Sequence, residues 1–207
     1  MLNFLLELDK NALLFLNGKH SPFWDDIMRW VTYKESWYPF YIILLAIIIY
    51  KDRSYRVIFT ILFVALVITL CDQISGIFKA WLERPRPSHE PELVDLVRLV
   101  INPKTGNIMK GGGQFGFFSA HAAYTFGAAA YLSYQFKNFK WTIFLFAWAA
   151  IVSYSRIYLG VHYPLDVICG ALAGTLIGIQ CYVLKVRTAV YFERQLEIRK
   201  ENKKEKK

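Results

Sequence analysis

Cysteine is scarce: three residues, Cys71, Cys169 and Cys181, in a chain of 207. Each lies in an apolar run, and no two stand in a CxxC spacing. That arrangement excludes a disulfide framework or a thiolate metal site and leaves packing as their role. Acidic residues are also few, 16 against 25 Lys and Arg, for a net charge of +9. Much of the excess lies between Lys185 and Lys207, and no nucleic-acid motif accompanies it. We read it as a basic tail beside anionic lipid, with no nucleic-acid partner. There is no internal repeat, and low complexity is confined to the Lys/Glu tail. A cleavable signal peptide is not expected. Glu7, Asp9 and Lys10 break the first apolar run, and no small-residue cleavage site follows.

What is present is apolar residues in clusters. They make up 55% of the chain, and mean hydropathy is +0.28. The clustering predicts an all-α, polytopic membrane bundle of about five to six spans. Residues 2–16 carry apolar pairs at helical spacing, as an interfacial amphipathic helix does. Asn17-Gly18 ends it. Ser21-Pro22 predicts an N-cap and first helical position for an aromatic-rich helix. Five spans follow, at about 37–50, 57–78, 117–136, 141–157 and 164–184. Between the second and third lies a polar stretch, about 81–115, holding Pro85, Pro87, Pro91, Pro103 and Gly111 to Gly113. It reads as loop with one short helix at 92–101. Lys51, Arg53 and Arg56, then Lys137 and Lys140, then the tail, all fall on one side of a five-span chain. The positive-inside rule makes that side cytoplasmic. If residues 1–16 also cross, the side of the long loop does not change.

Three segments on the opposite side carry the chemistry: Lys79–Pro87 (KAWLERPRP), Phe118–His121 (FSAH) and Ser155–Asp166 (SRIYLGVHYPLD). Charges beside lipid are costly and mark function. His162 and Asp166 are four apart, with Pro164 at a helix start. Asp166 can turn back onto His162, fixing its tautomer and leaving the other nitrogen free to attack. Read alone, the pair is equally a helix cap and an interfacial histidine. His121 is a candidate general acid, or a histidine at the headgroup layer. Ser119 can donate to an anion at the helix N-terminus, or act only as its cap. Lys79, Arg86 and Arg156 form a cation set suited to a phosphoryl group. Such residues also snorkel at span ends, but these lie on the side expected to be poor in cations. A zinc site of His121, His162 and Asp166 fits badly, because three cations would face it. No metal and no cofactor are expected. Asp72 reads as support for a site cation or an interhelical contact. Arg84 reads as a solvated loop residue also in reach of a headgroup, His89 as a residue of a Pro-rich loop with no placed partner, and His20 as surface.

The pattern K-x6-RP, a PSGH-like tetrad and SR-x5-H-x3-D resembles the type 2 phosphatidic acid phosphatase (PAP2) superfamily, which includes vanadium haloperoxidases and glucose-6-phosphatase. The likeness covers about 57–185. The first and third motifs match in full. In the second, Phe118 replaces proline and Ala120 replaces glycine. The resemblance implies a metal-independent, two-step phosphatase. His162 attacks phosphorus and Asp166 orients it. Lys79, Arg86, Ser119, Arg156 and a backbone amide near Ala120 hold the oxygens, and His121 protonates the leaving group. It further implies interfacial helices over 1–35, a catalytic membrane domain over 36–185 with an outer-face loop at 79–116, and a cytoplasmic tail over 186–207. The setting is a bacterial inner membrane with the site facing the periplasm or exterior. The substrate is a lipid phosphate: lipid A phosphate or undecaprenyl diphosphate, with phosphatidylglycerol phosphate as the alternative. The long loop, with Arg98, Lys104 and Lys110, is the expected specificity element. From other classes, a non-catalytic phospholipid-binding protein predicts loss of His121 or His162, and both are present. A haloperoxidase predicts a larger, soluble chain. Oligomeric state is not encoded.

Overall fold

A computed structural model describes residues 2–52, 54–101, 106 and 113–205. Seven α-helices carry the described chain: α1 Leu2–Asn17, α2 Pro22–Thr32, α3 Tyr38–Lys51, α4 Arg56–Leu82, α5 Ala120–Phe136, α6 Phe139–Tyr158 and α7 Pro164–Glu205. The expected N-cap forms: Ser21 Oγ accepts from Trp24 N at 3.4 Å, and Pro22 opens α2.

Helices α3 to α7 occupy the five expected spans. Among the described residues, α4 and α7 are long and apolar enough to cross a membrane on composition alone. Helix α3, with 14 residues, is about 21 Å long, and α5, with 17, is about 26 Å, both under the roughly 30 Å of a bilayer core. Two expectations change. The short helix at 92–101 is absent. Residues 91–96 form consecutive turns instead, because Leu93, Val97 and Val100 are drawn down as buried anchors beneath α1 and α6. The last helix does not stop near Leu184 but runs on to Glu205. Its extension is held by Glu193, which accepts from Arg56 Nε at 2.6 Å and Tyr55 Oη at 3.1 Å. At 42 residues it measures about 63 Å, so roughly half projects beyond a bilayer core.

Helix α5 is the centre of the bundle and packs on α4, α6 and α7. Its buried residues are mostly small: Ala120, Ala122, Ala123, Thr125, Gly127, Ala129 and Ala130. Facing them, α7 presents Gly170, Gly174 and Gly178. A Cβ at Gly174 would lie 1.9 Å from the Ala123 carbonyl oxygen, and one at Gly178 would lie 2.2 Å from that of Gly127. Apolar burial does little between helices in lipid, so close backbone approach of this kind holds them. The three cysteines are packing residues, Cys71 and Cys181 in the core and Cys169 against it.

The basic ends gather at one end of the bundle. Lys51 lies over the Phe136 ring, Lys185 Nζ donates to Gln135 Oε1 at 3.1 Å, and Arg56 meets Glu193. The three motif segments lie at the other end, beneath α1 and α2. Asn17 is the main tie there. Its side chain donates to the carbonyls of Arg98 and Tyr158 at 3.0 and 2.7 Å and accepts from Arg98 N at 2.9 Å.

Candidate active site

His162 sits in the tight turn between α6 and α7. Gly160, at φ +68°, makes that turn, and a Cβ there would lie 2.5 Å from Val97 Cγ1. Glycine takes this conformation at no steric cost. Four residues on, Asp166 lies in the first turn of α7. His162 Nδ1 and Asp166 Oδ2 are 3.3 Å apart, and Asp166 Oδ2 also accepts from Tyr163 N at 3.1 Å. Both side chains are almost fully buried.

The geometry fixes the tautomer. Arg86 Nη1 lies 3.1 Å from His162 Nε2. A guanidinium has donors only, so Nε2 accepts. The proton therefore sits on Nδ1 and is donated to Asp166. Burial, reinforced by Arg86, Arg156, Lys79 and Arg84, holds the His162 imidazole well below its ordinary pKa. It is neutral at neutral pH, with the Nε2 lone pair turned to the cations.

Arg86 reaches the site because residues 84–86 pair with 114–116. Arg86 N donates to Gln114 O, and Gly116 N to Arg84 O, each at 2.9 Å. Gly116 lies against the site itself: a Cβ there would lie 3.2 Å from Asp166 Oδ2 and from Arg86 Cγ, and 3.6 Å from His162 Nδ1. Arg86 also donates to the Val161 carbonyl at 3.1 Å. Arg156, in the last turn of α6, is anchored by donation to Thr32 Oγ1 of α2. Lys79, half-buried at the end of α4, has Arg86 and Arg156 as charged neighbours.

At the head of α5, Ser119 is buried and its side chain caps nothing. Its amide donates to the Asp166 carbonyl at 3.0 Å, joining the second motif to the third. Among the described residues, five buried side-chain atoms lack a hydrogen-bond partner: Ser119 Oγ, Arg86 Nε and Arg156 Nε in the motif segments, and Trp148 Nε1 and Ser153 Oγ on α6. Buried polar atoms normally have partners. The three open donors of the motif segments, one of them at the uncapped α5 N-terminus, are of the kind an anion satisfies. His121, on the first turn of α5, lies within the field of Arg156, His162, Lys79 and Arg86. Its ring meets Tyr124, centroids 5.1 Å apart. Tyr124 in turn lines an apolar cavity of about 460 Å³ between α3, α4, α5 and α6, with Lys34 also on its wall.

All eight expected site residues thus meet at one end of the bundle. Phe118, in place of proline, packs its ring on Phe78, and its carbonyl accepts from Ser75 Oγ at 2.9 Å. Asp72 is exposed on α4 and acts on Lys79 only through its charge. His89 turns to Ser88 Oγ at 3.0 Å. Arg98 is tied to Asp25, an ion pair that holds this carboxyl below its ordinary range, so it is no free headgroup ligand. Lys104 and Lys110 lie outside the described residues. Arg84 is neither solvated nor free. It spans Asp9 and Asp166 at 2.7 and 2.8 Å and lies over the Tyr163 ring. The doublet of basic residues in KAWLERPRP was the available signal for it. Nothing local marked Asp9 or Gly116.

Residues 58–188 match the family model described as the PAP2 superfamily. The chain belongs to the PAP2 superfamily. It is 42% identical over 177 residues to a lipid A 4'-phosphatase of Bacteroides thetaiotaomicron, covering 84% of this chain and 75% of that one. A lipid A 4'-phosphatase of Porphyromonas gingivalis is 33% identical over 178 residues, covering 86% and 72%. Among solved structures, Aquifex aeolicus LpxE superposes with a TM-score of 0.61 at 29% identity, over 84% of this chain and 94% of that one. A transmembrane PAP2-type phosphatidylglycerolphosphate phosphatase from Bacillus subtilis gives 0.64 at 21% identity, covering 89% and 88%, and shares the fold. The chain is accordingly an all-α membrane protein of PAP2 type.

Proposed function

We propose that this protein is a lipid phosphatase that removes the 4'-phosphate of lipid A through a phosphohistidine on His162. The observation that carries the reading is the open set of buried donors, Ser119 Oγ, Arg86 Nε and Arg156 Nε, facing a histidine whose Nε2 is the unprotonated nitrogen. An anion with three equatorial oxygens satisfies all three donors, and fixed cations then stabilise its charge in the transition state. His162 Nε2 attacks phosphorus in line. The bond to the lipid oxygen breaks, and His121 protonates that oxygen as it leaves. Asp166 balances the charge that develops on His162. Water, giving a proton back to His121, then attacks phosphorus, breaks the P–N bond and frees phosphate. The apolar cavity beside Tyr124 supports a lipid as the carrier of the phosphate. The two relatives named for lipid A 4'-phosphatase activity, similar over most of this chain, support lipid A in particular.

The basic end of the bundle faces the cytoplasm by the positive-inside rule, which puts the site at the outer face of a bacterial inner membrane. Helices α1 and α2 then lie in the headgroup layer, where Phe4, Leu5, Leu8 and Phe15 of α1 are exposed to lipid.

The test is phosphate release by purified protein in detergent containing EDTA. The lipids are a 4'-phosphorylated lipid A, undecaprenyl diphosphate and phosphatidylglycerol phosphate, each also given to His162→Ala. Release from lipid A, unaffected by EDTA and lost in the variant, is expected. Release from one of the other lipids instead would replace the substrate. Release that survives His162→Ala would overturn the mechanism.

A further inference from the structure

One buried carboxylate at this end of the molecule has no part in the chemistry described above. Asp9 sits midway along α1 and is 3% exposed. Its Oδ2 accepts from Arg84 Nη2 at 2.7 Å, and its Oδ1 accepts from Leu165 N at 2.9 Å. Arg84 Nη1 donates to Asp166 Oδ1 at 2.8 Å, and Asp166 Oδ2 holds His162. A continuous path of hydrogen bonds therefore joins the amphipathic N-terminal helix to the nucleophile.

We infer that Asp9 is a positioning residue for His162, acting through Arg84 on Asp166. The inference rests on His162 being the nucleophile.

Two physical arguments carry it. The first concerns how the cations are divided. Among the described residues, Arg86 and Arg156 keep Nε open to an anion and have no carboxylate partner. Arg84 has two, and its face is covered by Tyr163 at 3.9 Å. With both ends of its fork saturated, Arg84 is withheld from phosphate and made rigid. The second concerns charge. Asp9, Arg84 and Asp166 together carry one net negative charge next to His162. Without Asp9 the group is neutral, and Asp166 is wholly offset by Arg84. The positive charge that grows on His162 as it bonds to phosphorus then loses its counter-charge in a site shielded from water. Asp9 also caps the first turn of α7 at Leu165, the residue before Asp166, so it sets the helix that aims the carboxylate. Burial holds the Asp9 carboxyl above its ordinary pKa, and the bonds from Arg84 and Leu165 limit that rise.

The experiment compares Asp9→Asn, Arg84→Gln and the double variant in the full-length protein. Asn still accepts from Leu165 N but carries no charge. For Asp9→Asn we expect kcat to fall about 10- to 100-fold with KM within about twofold, as when a group acts only in the transition state. In the Arg84→Gln background the same change should cost less than about threefold, because the path is already broken. Nitrogen NMR of histidine-labelled protein reads the path without turnover. The wild type should show one histidine locked with its proton on Nδ1, and Asp9→Asn should show exchange between tautomers at that residue. Losses that simply multiply in the double variant, a rise in KM alone, or an unchanged imidazole spectrum would overturn the inference. A wild type that hydrolyses no lipid phosphate would defeat the proposed function, while the imidazole spectrum would still decide the role of Asp9.

Discussion

His162 and Asp166 were legible from the sequence because their spacing is local: four residues and one helix turn set the contact. Arg84 and Asp9 were not. Their ion pair joins residues 75 apart, and the Asp9–Leu165 bond joins residues 156 apart. No local pattern records such a contact, so Asp9 read only as a polar break in an amphipathic helix. Gly116 escaped for a related reason. Its value is an empty volume beside Asp166 and His162, which appears only when three segments meet. Substituting Gly116→Ala should displace the His162–Asp166 pair by a few tenths of an ångström. We expect kcat to fall about 10-fold or more in a protein with an unchanged melting temperature; full activity in this variant would show that the contact yields freely. A prediction about pH also belongs to this residue. Because the free-enzyme imidazole of His162 is held below its ordinary pKa, and attack needs the neutral form, kcat/KM should keep its value as pH falls through about 6.5. An acid limb at or above that value that moves with Asp166→Asn would contradict the reading of His162; His121, which must be protonated to release the lipid oxygen, gives an alkaline limb instead.

At the scale of elements, the apolar spans announced α3 to α7 within a few residues, since lipid-facing residues declare themselves by composition. What composition could not give is the far end of α7. Beyond Leu184 the residues turn polar, and the helix continues because Glu193 and Phe192 find partners on Arg56, Tyr55 and Phe59. The turns at 91–96 reverse the opposite way. A helix-compatible stretch stays irregular because its apolar residues are needed beneath α1. The element that matters most for the site is the α5–α7 seam, since α5 carries Ser119 and His121 and α7 carries Asp166. Gly174→Val should force these backbones apart, lower the melting temperature and abolish phosphate release, at a stability cost of about 1–3 kcal/mol. Gly76→Ala, where a Cβ meets nothing, is the matched control and should change neither. Equal behaviour of the two variants would contradict the seam.

For the whole molecule, charge and chemistry are separated along the bundle axis. One end carries Lys51, Arg56, Lys137 and the extended α7; the other carries the anion pocket under α1 and α2. This division was readable in the sequence from loop charges and span count alone. It predicts that a cysteine at Glu83 reacts with a membrane-impermeant maleimide in intact cells, while one at Lys204 reacts only after the membrane is opened. The reverse pattern would invert the orientation. The central claim, that the pocket serves a covalent transfer to His162, has a direct test. Protein mixed with lipid A labelled at the 4'-phosphate should be quenched within a turnover and its bound label characterised. The account predicts label that is stable to base, labile to acid, located on His162 and absent from His162→Ala. Turnover with no protein-bound label at any quench time, or label on another residue, would contradict it.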